Sequence, residues 1–91
     1  MEFEWDPKKA VRNLRTHKVS FNEAATIFAD VSSTTVPDPD HSIDERRYIT
    51  VGWSSQQRLL MVAHADYGDL IRIVSARKLT RTEGTTYEEE S

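Results

Sequence analysis

The sequence has no cysteine, so a disulfide framework and a thiolate zinc site are both excluded. Its three histidines, His17, His41 and His64, fall on different predicted elements without the close spacing of metal ligands. Its three glycines form neither a phosphate-binding loop nor a nucleophile elbow. We therefore expect no metal and no cofactor, and a chemistry carried by charge and proton transfer.

Long apolar runs are also missing. No segment approaches the roughly 20 residues of a membrane-spanning helix, and residues 1–6 have neither the basic start nor the apolar core of a signal peptide. We expect no membrane partner, no targeting segment and a cytoplasmic location. With 91 residues, of which 30% are charged and 37% hydrophobic, the chain is expected to form a single domain over residues 1–91.

The formal net charge of −3 argues at first against a nucleic-acid partner. The charges are unevenly distributed, however. Acidic residues gather near the N-terminus, in segment 38–45 and in the tail 88–90, whereas basic residues gather in segments 8–18, 46–47 and 72–81. If these basic segments converge, a local positive patch can form on an acidic protein.

The first third of the chain predicts two helices. Asp6 can cap a helix that has Pro7 in its first turn and runs to about His17. Its expected apolar stripe consists of Ala10, Val11 and Leu14. A capping box at Ser20–Glu23 starts a second helix. The residues expected on its buried face are Phe21, Ala24, Ala25 and Phe28.

The rest of the chain alternates like a sheet. The predicted strands are Val31–Val36, Arg47–Ser54, Arg58–Ala65 and Leu70–Lys78. Short connections between the later strands predict an antiparallel meander. A second capping box at Thr80–Glu83 predicts a short C-terminal helix that carries Tyr87, and residues 88–91 are expected to fray. The predicted class is α+β, with two N-terminal helices packed on a small antiparallel sheet and a short C-terminal helix.

Parity along these strands predicts which side chains share a face. The residues assigned to the face under the helices are Ile49, Val51, Leu59, Met61, Ile71 and Ile73. The residues assigned to the opposite, open face are Tyr48, Thr50, His64 and Arg72. An aromatic residue, a histidine and an arginine on one face suggest an anion site, although a slip of one residue would invert the assignment.

Cations in the last strand suggest a phosphate ligand. RNA carries its own nucleophile, the ribose 2′-OH, so an enzyme needs mainly to align it, to stabilise added charge and to move two protons. Arg72, Arg77 and Lys78 could supply the charge. The candidates for proton transfer are His64, His41, Glu45 and Tyr87. The alternative without a binding role is a half-solvated sheet with surface arginines.

Several blocks in this chain resemble the BrnT family of type II toxins, in the family's order and over almost the whole length. These blocks are Phe3–Lys9, Asn13–Leu14, His17–Ala25, Asp40–Ser42, Glu45–Tyr48, Arg58–Leu60 and Ile71–Lys78. The family's basic and polar signature residues correspond to His17, His41, Glu45, Arg46, Arg58, Arg72, Arg77 and Lys78. The chain departs from the family after Lys78, where Glu83–Thr86 leaves the C-terminal basic patch thinner.

The resemblance implies a RelE-like ribonuclease toxin that arrests translation by cleaving RNA without a metal. It also implies neutralisation by a BrnA-like antitoxin, a ribbon-helix-helix protein through which the complex would bind DNA and repress its operon. A heterotetramer of two toxins and two antitoxins is the assembly that the family suggests. Among the signature residues, Glu45 and Arg46 could equally form a structural ion pair, and Arg58 could close a turn.

The resulting hypothesis is a metal-independent RNA endonuclease. In it Arg72 and Arg77 hold the phosphate, Lys78 adds charge, and His64 or Tyr87 assists proton transfer. The remaining signature residues are expected to bind substrate, and they are Arg58, His41, Glu45, Arg46 and His17. The alternative is a non-catalytic binding module, in which the same cations grip an antitoxin or a nucleic acid.

Overall fold

A computed structural model of the chain describes residues 1–40 and 46–90. The fold is α+β, with one five-stranded sheet. Its elements are β1 (Glu2–Glu4), α1 (Pro7–His17), α2 (Phe21–Ala25), a 3-10 turn (Thr26–Ala29), β2 (Thr34–Pro37), β3 (Arg47–Trp53), β4 (Leu59–Tyr67), β5 (Leu70–Lys78) and α3 (Arg81–Glu90). Over the described part of the chain, each helix is too short or too polar to cross a bilayer.

The sheet is mixed rather than purely antiparallel. Its strand order is β1-β5-β4-β3-β2, and β2 to β5 pair antiparallel in chain order. The prediction is wrong about the edge, because β1 pairs parallel with the first part of β5, Phe3 lying opposite Ile71. A strand of three residues is too short to show alternation, so β1 could not be predicted from the sequence.

The helix starts follow the local chemistry that the sequence predicts. The Asp6 carboxylate accepts a hydrogen bond from the Lys8 N–H at 2.8 Å, and the Ser20 hydroxyl accepts one from the Glu23 N–H at 3.0 Å. Lys18 ends α1 in the left-handed region, with φ of 60°. The predicted bounds of α1 are confirmed, and α3 continues to Glu90 through residues expected to fray.

The core lies between the inner face of the sheet and the first two helices. Its fully buried members are Val19, Phe21, Ala24, Ile27, Leu60, Val62, Ile71, Ile73 and Ala76. Partly buried aromatic rings close the core at its margin, with Phe3 and Phe28 in contact at a centroid distance of 5.4 Å. The predicted burial of Phe21 and Ala24 on α2 is confirmed.

The predicted faces of β3 and β4 are wrong. Thr50 and His64, expected on an open face, are 0% and 1% exposed and lie on the inner face. The residues expected under the helices, namely Ile49, Val51, Leu59 and Met61, lie on the outer face and are only half-buried. Both strands carry apolar residues at odd and even positions, so alternation along the chain could not distinguish the two faces.

A bulge in β5 shifts the faces once more. Ala63 pairs with Ser75 and His64 pairs with Ile73, so Val74 has no partner on β4. An extra residue of this kind reverses the alternation of side chains along its strand. The prediction that Ile73 faces the helices is confirmed, and residues beyond the bulge follow the opposite parity.

Helix α1 turns a different face to the core from the one predicted. Val11 and Leu14, expected in the buried stripe, are 59% and 50% exposed. Asn13 is the buried residue of this helix, at 7% exposure. A polar side chain occupies the inner face because it binds backbone groups there.

The Asn13 amide pairs with the backbone of β5 much as a neighbouring strand would. Its Nδ2 donates to the Ala76 carbonyl at 2.8 Å, and its Oδ1 accepts from the Ala76 N–H at 3.1 Å. Nδ2 also donates to the Val19 carbonyl at 2.9 Å, which ties α1 to the start of α2. One side chain therefore satisfies three backbone groups that would otherwise be buried without partners.

We predict that Asn13→Ala lowers the free energy of unfolding by about 2–4 kcal/mol, because it leaves these backbone groups unpaired in a buried site. Asn13→Asp is expected to be destabilising as well, since a carboxylate would face two carbonyl oxygens. Urea denaturation followed by circular dichroism measures both effects. Arg15→Ala, an exposed change on the same helix, is the control and should stay within about 0.5 kcal/mol of the wild type. A loss no larger than that of the control would contradict this role of Asn13.

Candidate functional site

The outer face of the sheet carries a groove beside β5. Its lining residues are His17, Ile49, Met61, Ala63, Ser75, Ala76 and Arg77. A second concavity continues under α1, and its lining residues are Lys9, Arg12, Asn13, Thr16, His17, Val74 and Ser75. Because His17 and Ser75 line both, the two form one continuous depression, which we call the β5 groove.

The bulge at Val74 and the placement of α1 together build this groove. Beyond the bulge, Ser75 and Arg77 lie on the outer face, on the same side of the sheet as Arg72. If β5 alternated regularly from Ile73 through Val74 onward, Arg77 would lie on the face that packs against the helices. Asn13 holds α1 against Ala76, and the last residue of that helix, His17, thereby reaches the groove that Arg77 also lines.

Arg77 is the cation that β5 contributes to the groove, and it has a carboxylate partner. Its Nη1 and Nη2 donate to the two Glu83 oxygens at 2.8 and 3.0 Å, a bidentate pair. Nη2 also lies 3.3 Å from the Met61 sulfur. The hydrogen bond from Arg77, assisted by one from the Thr80 N–H, lowers the pKa of Glu83 to about 2. The Arg77 side chain is still 38% exposed, so solvent and ligands can reach it.

Arg72 lies on the same face but outside the groove. Its Nη1 donates to a Glu4 oxygen at 2.7 Å, and both side chains are 42% exposed. This hydrogen bond raises the pKa of Arg72 above its ordinary value. Lys78, at the end of β5, is exposed, and its carbonyl oxygen accepts from Arg77 at 3.2 Å. The structure therefore separates the two arginines that the sequence hypothesis placed on one phosphate.

Arg58 has structural partners. Its Nε donates to one Glu23 oxygen at 2.9 Å, and its Nη2 donates both to the other Glu23 oxygen and to the Lys18 carbonyl, the latter at 3.0 Å. The Ser54 hydroxyl donates to the same carboxylate at 2.6 Å. The Arg58 hydrogen bond lowers the pKa of Glu23, which is only 4% exposed. This network joins the connection between α1 and α2 to the β3–β4 hairpin.

His64 lies in the core, which corrects its predicted place on an open face. Its Nδ1 is 2.7 Å from an Asp66 oxygen and its Nε2 is 2.7 Å from the Thr50 hydroxyl. Since the carboxylate can only accept, Nδ1–H donates to it, and Nε2 accepts from Thr50. The Thr50 oxygen in turn lies 2.7 Å from the Thr35 hydroxyl. The ring packs edge-on against Phe28 at 4.9 Å and, being 1% exposed, has no open path to a substrate.

The remaining candidates lie away from the groove or outside the described residues. The Tyr87 hydroxyl donates to the Ser32 carbonyl at 2.7 Å, which fastens the end of α3 near β2. Arg46 is exposed beside the start of β3, and its carbonyl accepts from the Asp66 N–H at 3.0 Å. His41 and Glu45 lie outside the described residues. Among residues 1–40 and 46–90, no group of three or more acidic or histidine side chains is placed to hold a metal ion.

Sequence reasoning missed the roles of Asn13 and Ser75. The signal for Asn13 was available, because an asparagine stands one position before Leu14 in a helix whose other polar residues are mostly charged. Nothing in the sequence pointed to Ser75, since its place in the groove depends on the bulge beside it.

Comparisons with known proteins assign the chain to a class of toxins. Residues 5–83 match the family model described as "Ribonuclease toxin, BrnT, of type II toxin-antitoxin system". The chain belongs to this family of ribonuclease toxins, as its blocks of residues predicted. No curated protein sequence gave a significant match.

A solved structure shares the fold. The crystal structure of the Brucella abortus ribonuclease toxin BrnT matches with a TM-score of 0.70 and 18% sequence identity. The match covers 89% of this chain and 99% of that chain. At this identity the likeness shows the arrangement of the elements, while the roles of individual residues have to be argued from the site.

We predict a pH dependence of stability that comes from His64. Burial lowers the pKa of this imidazole in the folded state, against the opposing pull of Asp66. The neutral form is therefore favoured by folding, so its contribution is full above about pH 6.5 and is lost as the pH falls below that value. We expect the free energy of unfolding to fall by at most about 1.4 kcal/mol per pH unit in this range.

The variant His64→Gln isolates this contribution, because glutamine has no titrating group. Urea denaturation at intervals between pH 7.5 and 5 should show a flatter profile for the variant than for the wild type. Carboxyl groups with a lowered pKa, such as Glu83, change the free energy of unfolding only at lower pH, so they do not affect this comparison. Parallel profiles for the two proteins would be evidence against a neutral, buried His64.

We also predict that the Glu83 carboxyl titrates at a pKa of about 2 in the wild type and that this pKa rises toward its ordinary value of 4.5 in Arg77→Ala, while the hydrogen bond from the Thr80 N–H still holds it below that value. Removal of the bidentate donor takes away the main cause of the depression. NMR titration of the Glu83 side-chain carbonyl gives the pKa directly. Arg81→Ala removes an exposed cation from the same helix and should leave the titration unchanged. An unshifted Glu83 in Arg77→Ala would show that the ion pair does not form in solution.

Proposed function

We propose that this toxin cleaves RNA in the β5 groove without a metal ion. The observation that carries the proposal is that His17 and Arg77, a proton carrier and a fixed cation, line one open groove. Lys9 and Arg12 extend the positive lining along the same groove, where they can bind neighbouring phosphates of a single strand.

The chemistry requires a cation at the phosphate and two proton transfers. The ribose 2′-OH attacks the adjacent phosphorus, the bond to the 5′ oxygen of the next nucleotide breaks, and a cyclic phosphate forms. One proton leaves the 2′-OH and one is delivered to the departing oxygen. Arg77 stabilises the negative charge that accumulates on the phosphate in between. His17 is the group we assign to one of these proton transfers, because imidazole can carry a proton near neutral pH, and a solvent water on the opposite side of the phosphorus carries the other proton.

Phosphate binding must compete with the pair between Arg77 and Glu83. An arginine that is 38% exposed can bind a phosphate with its outer nitrogen edge, or it can exchange one carboxylate oxygen for a phosphate oxygen. Glu83 then keeps the guanidinium at a defined place on the outer face. In this proposal Glu83 is a positioning residue, and the thin C-terminal basic patch is compensated by cations from α1.

Other candidate residues take supporting roles. Arg72 contributes charge to the outer face at a distance from the reacting phosphate, and Lys78 at the end of β5 and Arg46 beside the start of β3 are exposed cations. His64 and Tyr87 are assigned to structure rather than to proton transfer, since each is held by hydrogen bonds outside the groove. Substrate binding remains the proposed role of His41 and Glu45. Arg58 acts indirectly, because its hydrogen bond to Glu23 stabilises the elements near the groove.

Membership of the toxin family supports the biological setting that we propose. RNA cleavage in the cytoplasm would arrest translation, and a ribbon-helix-helix antitoxin of the BrnA kind would restore growth. Two toxins and two antitoxins would form a complex that binds operator DNA through the antitoxin. The RelE-like arrangement implied by the sequence resemblance also belongs to this proposal.

A non-catalytic binding module is the second candidate. The observation that favours it is that Arg72 and Arg77 are both neutralised by carboxylates, so each is already satisfied within the chain. In such a module the ion pairs would shape a surface for the antitoxin, and no RNA would be cut. Cleavage measured with purified protein distinguishes the two candidates.

We predict that Arg77→Ala and His17→Gln each reduce the rate of RNA cleavage at least 100-fold, because a phosphate-stabilising cation and a proton carrier are lost. Arg72→Ala is expected to lose less than tenfold, since Arg72 lies outside the groove. The assay follows cleavage of a labelled single-stranded RNA by purified protein in the presence of EDTA. Growth after induction of each variant is the cellular readout.

Arg81→Ala is the matched control for Arg77→Ala, as it removes one exposed positive charge from the neighbouring helix. Circular dichroism confirms that each variant is folded. Equal cleavage by Arg77→Ala and wild type would refute the role of the groove. A folded wild type that leaves RNA intact would instead support the binding module.

A further inference from the structure

The exposed face of α1 combines an apolar centre with a basic border. Val11 and Leu14 are 59% and 50% exposed and lie one helical turn apart. The residues around them on the same helical face are Lys8, Arg12, Arg15 and Lys18. We call these six residues the α1 face. A shallow depression on it is lined by Pro7, Lys8, Val11, Arg12 and Arg15.

Nothing else in the described chain covers this face. The side chains of Lys8, Arg12 and Arg15 form no ion pair with another described residue, in contrast to Arg58, Arg72 and Arg77. The opposite side of the helix makes the contacts with the fold, through Asn13 and Ala10. Two branched apolar side chains are thus left in water on an otherwise polar helix, which is a feature of surfaces that bind partners.

We propose that the α1 face is the docking surface for an acidic amphipathic helix of the antitoxin. Such a helix would place apolar residues, spaced three or four positions apart, against Val11 and Leu14, and its aspartates and glutamates against the basic border. The inference rests on the proposed function in one respect, namely that this toxin is restrained by an antitoxin protein. Charge complementarity would also make the association fast.

The apolar centre favours a protein over RNA as the occupant. RNA phosphates would bind the four cations, but they offer nothing that buries Val11 and Leu14, and burial of apolar area is the main source of affinity at protein interfaces. Lysine and arginine stems would extend the apolar contact at the border of such an interface.

Docking at this face would affect the β5 groove directly. Arg12 lines the depression on the α1 face and also the part of the groove under α1. An acidic helix that engages Arg12 would withdraw this cation from RNA and would stand at the groove's entrance. Inhibition then follows without any change in the position of Arg77 or His17.

The test measures binding of the antitoxin that is encoded with this toxin, using the full-length purified toxin. Biolayer interferometry compares the wild type with Val11→Asp and Leu14→Asp, and with Val31→Asp as the matched control, since Val31 is fully exposed away from α1. RNA cleavage is measured on the same preparations. We expect each α1 variant to weaken antitoxin binding at least tenfold, while Val31→Asp binds normally and all of the variants still cleave RNA.

Three results would overturn the inference. Equal antitoxin affinity in all variants would place the interface elsewhere. Unchanged antitoxin binding with lost RNA binding would make the α1 face an RNA surface. A toxin dimer that the α1 substitutions dissociate, with antitoxin affinity unchanged, would make a second copy the occupant. Failure of the proposed function is recognisable separately, as a wild type that binds antitoxin through this face but cleaves no RNA.

Discussion

The pairing of the Asn13 amide with the backbone of Ala76 is the interaction on which the rest of this structure depends. Strand β1 covers only Leu70–Arg72, so the second half of β5 has no strand neighbour on that side. An uncovered edge in a small sheet exposes backbone donors and acceptors. By satisfying them from a helix, Asn13 fixes the distance of α1 from β5, and the space left between them becomes the β5 groove.

Charged and polar residues have two roles in this chain: some stabilise the fold, and others remain available to bind ligands. Glu23 and Arg58 form an ion pair that joins the helical segment to the β3–β4 hairpin, and His64 binds Thr50 and Asp66 inside the core. Buried groups of this kind need their partners, because an unpaired one costs far more than a pair contributes. Within the described residues, every buried polar side-chain atom has a hydrogen-bond partner.

The second role, ligand binding, is assigned to cations that remain accessible to solvent. Arg77 is oriented by Glu83 yet remains accessible, and Lys8, Arg12 and Arg15 of α1 form no ion pair with another described residue that would prevent binding to a phosphate or to a carboxylate. Arg12 connects the two surfaces, since it borders both the β5 groove and the α1 face. A small acidic protein can in this way present one locally positive side, as the uneven charge distribution indicated.

The sequence alone determined the helix starts, the last strand and the family, because capping residues, turn residues and short blocks of signature residues act locally. Asp6 and Ser20 therefore cap the helices that they predict. Arg77 and His17 were candidates from the sequence, Arg77 for holding the phosphate and His17 for binding substrate, but nothing in the sequence placed them in one groove. Which side of each strand faces the helices, and the exposure of Val11 and Leu14, were decided by the tertiary structure. Alternation along a strand shows which side chains share a face, but not which face is buried. In this chain apolar residues occupy both odd and even positions, and Val74 adds one extra residue to β5. The buried face was therefore decided by the packing of α1 and α2.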